Sequence, residues 1–310
     1  MTTTTSPAIS VLMPVYNAER YITEAVKSIL NQTLTDFEFI IINDGSSDRS
    51  LEILQRFAQQ DTRIRLISRE NRGLVKTLNE GLTLAKAPLI ARIDADDMAY
   101  PDRFILQKEF MDQNPNVVCL GGYFEIIDGA GRPLTLLRVP LDDETIQELA
   151  LKGHSAIAHP VAMLRLSAVK QVGGYREAFK AAEDLDLWLR LGEIGQLANI
   201  PYPMLQYRFV SSSISGQNAS LQKQSAKNAC QEAWARRKVT YQFEGGDWRP
   251  THEAKSRFNY LMKFGWWAFN YRQRGTAIIY SLKAIALLPW NLDGWRLLVC
   301  ALIKPLPTTI

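Results

Sequence analysis

The chain has 310 residues, 46% of them hydrophobic and 22% charged, a balance that suits a folded domain and excludes a disordered or fibrous chain. Its three cysteines, Cys119, Cys230 and Cys300, lie far apart with no CxxC pair, which argues against a disulfide framework or zinc site and fits a reducing compartment. The net charge of +4 hides an asymmetry, because residues 223–310 carry 14 Lys+Arg against 5 Asp+Glu while residues 1–222 are net −5.

The N-terminus MTTTTSPAIS has no basic or apolar leader region, so no signal peptide is expected there. Residues 9–13 read as a buried strand stopped by Pro14. Residues 18–31 place Tyr21, Ile22, Ala25, Ile29 and Leu30 at a helical period. The run FEFIII, 37–42, is nearly all apolar, as a parallel strand covered on both faces should be. It ends in Asn43-Asp44-Gly45-Ser46-Ser47-Asp48, a turn in which Ser47 or Asp48 is placed to cap a helix over 49–59. A third strand follows at 63–68, a helix at 73–86 and a fourth strand at 88–93. Strand and helix alternate with short links, which predicts an α/β sheet of the doubly wound kind.

After residue 100 the pattern loosens. Helices are expected over 103–113, 142–151 and 183–194, and a strand pair over 117–127 with its turn at 129–132. Beyond 220 the chain reads as mainly helical, with helices at 275–288 and 294–303. No apolar run reaches about 18 residues, so no spanning helix is expected.

In an open parallel sheet, ligands bind beyond the carboxyl ends of the strands. Three polar stretches fall there: Pro14-Val15-Tyr16-Asn17, Asn43-Asp44-Gly45-Ser46 and Asp94-Ala95-Asp96-Asp97. Three carboxylates within four positions repel one another, and capping a helix needs only one. A hard divalent cation, Mg²⁺ or Mn²⁺, would cancel that repulsion and bridge to substrate phosphates. The sequence has no GxGxxG after the first strand and no GxxxxGK[ST], so phosphate must be held by metal and side chains.

MPVYN, NDGSSD, ENRGL, DADD, HP and AEDLDLWLR, in this order, resemble a family 2 glycosyltransferase of the GT-A fold. The resemblance covers about residues 8–215. It implies a Rossmann-like nucleotide-binding sheet with a mainly helical C-terminal extension. It implies a catalytic domain over 1–220, with a nucleotide-sugar half at about 8–100 and an acceptor half at about 101–220, followed by a basic, aromatic region over 221–310. Pro14, Tyr16 and Glu19 would lie against the base, with Asp44 accepting a hydrogen bond from it. Arg72 and Gly73 would border the nucleoside. Asp94 and Asp96 match the family's DXD, Asp94 near the ribose and on the metal, Asp96 on the metal. Asp97 would orient the sugar. Asp184, beside Glu183, matches the catalytic base.

The residues themselves agree on that last point. Inverting transfer needs one base to deprotonate an acceptor hydroxyl, and paired acids at a helix start can divide that task from capping. His159 stands where related enzymes place a histidine near the diphosphate or metal; a histidine at a strand start is the structural alternative. Arg208 has the donor fork that suits a diphosphate, with residues 211–215 as a flap over it. Trp188 reads as core.

The tail joins cations to interfacial aromatics, since six of seven tryptophans lie beyond residue 230. That composition fits peripheral contact of 255–310 with an anionic leaflet, or a helical cap with a solvated basic face. Nucleic acid is not an expected partner, because no binding motif accompanies the charge. The expected activity is inverting, metal-assisted transfer of a hexosyl group from a nucleotide-sugar, UDP-linked, to a hydroxyl of a polysaccharide or lipid-linked glycan. The expected place is the cytoplasm, at the inner face of the membrane. Two alternatives stand beside it: a sugar-nucleotide nucleotidyltransferase, which would carry a glycine-rich basic loop that MPVYNAER lacks, and a non-catalytic partner in glycan assembly.

Overall fold

The computed structural model describes residues 6–209, 219–245 and 253–307. These divide into two compact units. One holds 6–124, 138–207 and 220–245; the other holds 125–137, 208–209, 219 and 253–307.

The first unit is built on a sheet. Strands β1 (Ile9–Val15), β2 (Phe37–Asp44), β3 (Ile64–Arg69) and β4 (Leu89–Arg92) run parallel in the order β3-β2-β1-β4. The helices between them are α1 (Ile22–Leu30), α2 (Ser50–Gln60) and α3 (Leu74–Leu84). This is the α/β alternation that the periodicity predicts. Beyond β4 the sheet turns mixed, which the sequence pattern does not foretell. After β5 (Met98–Ala99), α4 (Arg103–Gln113), β6 (Val117–Asp128), β7 (Pro133–Leu137), α5 (Asp143–Leu151), β8 (Met163–Arg165), α6 (Leu166–Gln171), α7 (Glu183–Leu191) and β9 (Gln196–Phe209), the order continues β8-β6-β9-β5. β8 is antiparallel to both β4 and β6, and β5 is antiparallel to β9.

Both faces of the sheet are covered. Val11, Met13, Phe39 and Ile41 face a core with α1 and α4; Leu12, Ile40 and Ile42 face the other, with α3, α6 and α7. Alternate residues of one strand thus enter two cores, and FEFIII has no room for a polar alternation. α3 comes so close to β1 that a Cβ at Gly81 would stand 2.1 Å from Leu12 Cδ1.

Two predicted boundaries move. β1 does not stop at Pro14 but runs through it to Val15. Its pairing with β4 ends at Leu12–Arg92, so a proline two residues on removes no donor that the ladder uses. The expected strand pair over 117–127 is one 12-residue strand, β6, whose hairpin partner is β7 across the turn at 129–132.

The helix Ala219–Arg237 belongs, from Ser220 on, to the first unit. It lays Ala226, Ala229, Cys230 and Ala233 against Leu151, Phe179, Leu185 and Leu189 beside α5 and α7. All three cysteines are buried and unbridged.

In the second unit the helices Ala254–Asn270, Arg274–Leu287 and Leu292–Ile303 share a small core of Phe258, Met262, Ala284 and Leu297. Phe209, Tyr260, Phe264 and Tyr280 form an aromatic cluster beside it. The Tyr280 hydroxyl donates to Asp128 Oδ2 at 3.1 Å. Among the described residues no helix is long and apolar enough to cross a membrane.

Candidate functional site

β4 ends at Arg92, and the chain then leaves the sheet through Asp94–Asp97 before β5. The Ile93 N–H still reaches Leu12 O at 3.1 Å, so the turn starts from a fixed point on the sheet. It gathers Asp94, Asp96 and Asp97 so that one ligand oxygen from each lies within 4.8 Å of the others. Asp94 and Asp96 are half-buried and Asp97 is buried. Three converging carboxylate oxygens at this spacing are a donor set that fits a hard divalent ion.

The protein also supplies a cation of its own. Arg92 is buried, and its Nη1 stands 2.5 Å from Asp94 Oδ2. Burial alone would lower the Arg92 pKa; Asp94, with Tyr175 and Asp97, outweighs burial and holds the guanidinium above its ordinary value. Arg103, the first residue of α4, is buried behind it and donates to Arg92 O at 2.8 Å and Gln107 Oε1 at 3.0 Å. The acidic turn thus sits on a floor of buried guanidinium.

A second acidic pair starts α7. Asp184 Oδ1 accepts the Leu185 N–H at 2.8 Å. Burial raises the Asp184 pKa; the Leu185 N–H and Arg92 pull the other way, and Asp94 adds to the rise. Burial and then the charge of Asp184 push the Glu183 carboxyl up to about 7. Asp94, Arg92, Glu183 and Asp184 therefore share one electrostatic environment. Two residues on, Asp186 does different work. It pairs with Arg176 and with Arg190 (2.7 Å), and Arg190 donates to Val172 O at 2.7 Å and Gly174 O at 2.8 Å. That network pins α7 and so fixes where its first two acids point. Trp188 is core, with Nε1 donating to Ile157 O at 3.1 Å.

His159 opens a 3₁₀ turn ahead of β8. Its Nε2 is 2.9 Å from the Tyr175 hydroxyl and its Nδ1 3.9 Å from Glu183 Oε1. Burial and then Arg92 depress its pKa well below 6.5, so the ring is neutral. It is not brought into the Asp94–Asp96–Asp97 group.

The loops after β1 and β2 are zipped together. Asn17 donates its N–H to Ser46 Oγ (3.0 Å) and accepts from the Ser47 N–H (2.8 Å); Glu19 accepts from the Arg49 N–H (2.9 Å). Asp48 accepts from the N–H groups of Ser50 and Glu19, but the N-cap of α2 is Arg49 and carries no side-chain cap, so Asp48 braces the turn one residue ahead of the cap expected of it. Asp44 is buried and points at the next loop. Its carboxylate accepts from the N–H groups of Arg72 (2.8 Å) and Gly73 (3.0 Å) and pairs with Arg69. Gly73 lies at φ 86°, a conformation open to glycine at little cost, so Asp44 and Gly73 together shape ENRGL. Pro14 is buried in β1, while Tyr16 and Arg72 are exposed beside these loops. Arg208 belongs to the second unit, where it is buried beside Gly131. The flap at 211–215 lies outside the described residues.

Residues 10–173 match the family profile named Glycosyl transferase family 2. The chain belongs to this family. An uncharacterized glycosyltransferase of Haemophilus influenzae is 31% identical over 73% of each chain. The O-antigen biosynthesis glycosyltransferase WbnJ of Escherichia coli is 32% identical over 66% of this chain and 81% of its own. The crystal structure of S. aureus TarS 1-349 in complex with UDP-GlcNAc superposes with a TM-score of 0.56 at 18% identity, covering 94% of this chain and 90% of that one, a likeness of fold. The protein is a glycosyltransferase with a GT-A-type mixed sheet and a helical C-terminal region.

In this glycosyltransferase the residues that sequence reading passed over are the cationic and neutral supports of the acids. Arg92 had a signal: a lone charge inside the apolar strand LIAR, directly before DADD. Arg103 looks like an ordinary first-turn arginine. Tyr175 and the Asn79 side chain that bonds both its N–H and its C=O had none, since 96 residues separate them.

Proposed function

We propose that this family 2 glycosyltransferase moves a sugar from a nucleotide-sugar, UDP-linked, to a hydroxyl of a polysaccharide or lipid-linked glycan, with inversion. The observation that carries this reading is the convergence of Asp94, Asp96 and Asp97 at the end of β4, electrostatically coupled to Glu183 and Asp184 at the start of α7. Asp94 and Asp96 would hold Mn²⁺ or Mg²⁺, which would lend positive charge to the departing diphosphate.

Asp184 is the general base. As the acceptor oxygen bonds to the anomeric carbon and the sugar–diphosphate bond breaks, its carboxylate takes the hydroxyl proton. Burial raises its proton affinity toward the value such a base needs. Glu183 sits beside it, more protonated at neutral pH than an ordinary glutamate, and so relieves the repulsion between neighbours. Asp97 orients the sugar. Pro14, Tyr16, Glu19, Asp44, Arg72 and Gly73 line the nucleoside, with Asp44 setting the backbone of Arg72 and Gly73. His159 stands behind the paired acids, with Nδ1 3.9 Å from Glu183 Oε1 and Nε2 2.9 Å from the Tyr175 hydroxyl. The relatives' names support the substrate class: O-antigen biosynthesis for WbnJ and bound UDP-GlcNAc for TarS. The same reading sets residues 255–310 against the inner face of a membrane, where a lipid-linked acceptor would be met.

The test is nucleotide release from a panel of UDP-, GDP- and dTDP-sugars with Mn²⁺, Mg²⁺ or EDTA. Metal-dependent hydrolysis of one UDP-sugar is the expected result. Neither release nor thermal stabilisation by any donor would overturn the reading.

A further inference from the structure

The last helix, Leu292–Ile303, presents two unlike faces. Gly294, Leu297, Cys300 and Ala301 are buried against the other helices of its unit. The opposite face carries Leu292 (78% exposed), Trp295, Val299, Leu302 and Ile303 (75%), spaced three, four, three and one residues apart. That is a helical period, so the five side chains form one apolar stripe about 16 Å long on the outside of the helix. Trp290, in the turn before it, is 94% exposed. A soluble surface tolerates single apolar residues, whereas a continuous stripe that includes Trp295, with Trp290 exposed beside it, marks a contact surface.

The stripe is rigidly displayed. Asn291 caps the helix by accepting the Asp293 N–H at 2.9 Å, and the Trp295 indole N–H donates to Pro289 O at 3.0 Å. The cluster of Phe258, Met262, Ala284 and Leu297 holds the buried side. The charge around the stripe is mainly positive, with Asp293 the one exposed acid on the helix. Arg296 on this helix and Lys304 at its C-cap are exposed, as are Lys283 and Arg272 on the preceding segment. Across residues 253–307 there are eight Lys+Arg and two Asp+Glu.

We propose that this face docks on an anionic bilayer surface, with Trp290, Trp295 and the Leu292–Ile303 stripe entering the headgroup region and the surrounding cations meeting lipid phosphates. The charge decides for a bilayer over a second copy of the chain. Pairing two such faces would press two cationic surfaces together, whereas an anionic leaflet supplies the opposite charge. A helix with an apolar stripe and flanking Lys and Arg is the kind that lies in the interface without crossing it. This surface rests on the reading of 255–310 as the membrane-facing part. It gives that reading a defined face and a defined lipid charge.

The full-length protein is sedimented with vesicles of phosphatidylcholine alone or of phosphatidylcholine mixed with phosphatidylglycerol, in low and high salt and with no donor present. The expected result is pelleting with the mixed vesicles only, weakened by salt. The triple variant Trp290→Ser, Leu302→Ser, Ile303→Ser should lose at least tenfold in partitioning, and Arg296→Gln with Lys304→Gln should lose salt-sensitive binding. All the changed side chains are exposed, so the melting temperature should hold. Equal pelleting of the triple variant, or no pelleting of the wild type with anionic vesicles, overturns the proposal. So does a wild-type dimer that the triple variant turns into monomers without vesicle binding, which would assign the face to a second copy. Nucleotide release, measured separately in solution, tells a failure of this surface from a failure of the transferase reading.

Discussion

Replacing Glu183 by Gln removes a buried carboxyl that burial and the charge of Asp184 push from 4.5 up to about 7. The folded state therefore holds this proton more tightly than the unfolded chain does. Below about pH 4.5 both states are protonated and the group is neutral to stability. As pH rises from 4.5 to about 7, the unfolded chain gives up the proton first, so stability falls, and the loss is complete above 7. A rise from 4.5 to about 7 corresponds to roughly 3 kcal/mol, of which about 2–3 kcal/mol falls between pH 5 and 8. The groups facing Glu183 pull in different directions. Arg92 favours its charged form, while Asp184 and Asp94 oppose it. Neutral His159 tilts the curve the other way below 6.5, because the unfolded imidazole takes up a proton that the buried one refuses. These neighbours remain in Glu183→Gln, so the difference between the two proteins isolates Glu183. The assay is urea unfolding at pH 5 and pH 8 in EDTA. Wild type should lose about 2–3 kcal/mol more than the variant across that interval. Equal pH slopes would show that Glu183 titrates as an ordinary glutamate, and the account of the pair would fail.

Asp96→Ala should lose metal-dependent donor binding in calorimetry while keeping its fold, since the side chain is only half-buried; full affinity would remove Asp96 from the metal. Asp184→Asn should bind donor normally and lose transfer by at least a hundredfold. In the wild type the transfer rate should climb with pH through a limb lying above the ordinary aspartate value of 3.8, because burial raises the Asp184 pKa. A rate flat in pH, or turnover retained by Asp184→Asn, would take the base role from Asp184. Arg92→Met should destabilise by about 1–3 kcal/mol, less than breaking a fully buried pair costs, because Asp94 is only half-buried. An unchanged unfolding midpoint would show that Asp94 needs no counter-charge from the protein.

The parallel half of the sheet is legible in the sequence because its strands are buried on both faces. Such strands appear as short apolar blocks, and the helices between them carry a clean 3.6-residue period. The antiparallel half is not. β8 is three residues long and β5 two, too short for any period to register. β9 carries Pro201 and Pro203 at exposed positions, so a 14-residue strand looks broken. The acids of the site are legible too, since charge at a strand end is conspicuous. Their partners are less so, because a hydrogen bond is a fact of three dimensions. Asp44 looks like a residue aimed at a ligand, and it also fastens the Arg72–Gly73 backbone. His159 looks like a metal ligand, and its two nitrogens face Tyr175 and Glu183.

The crowding of Asp94, Asp96 and Asp97 poses a charge problem that a metal alone does not answer, because the protein must fold before any donor and metal arrive. Arg92 answers the first part. It sits under the turn at 2.5 Å from Asp94 and, being buried, loses little of its field to water. Three carboxylates outnumber the one guanidinium paired to Asp94, so negative charge is left over that a divalent ion would lower. On the proposed reading the two cations would act on the same group of acids at different times, Arg92 permanently and a divalent ion with the substrate. In Arg92→Met the carboxylates would carry −3, so the rise in melting temperature on adding Mn²⁺ should exceed that of the wild type, even though the variant starts from a lower baseline. A smaller rise would mean that Arg92 acts by holding Asp94 in place for the ion, with geometry outweighing charge.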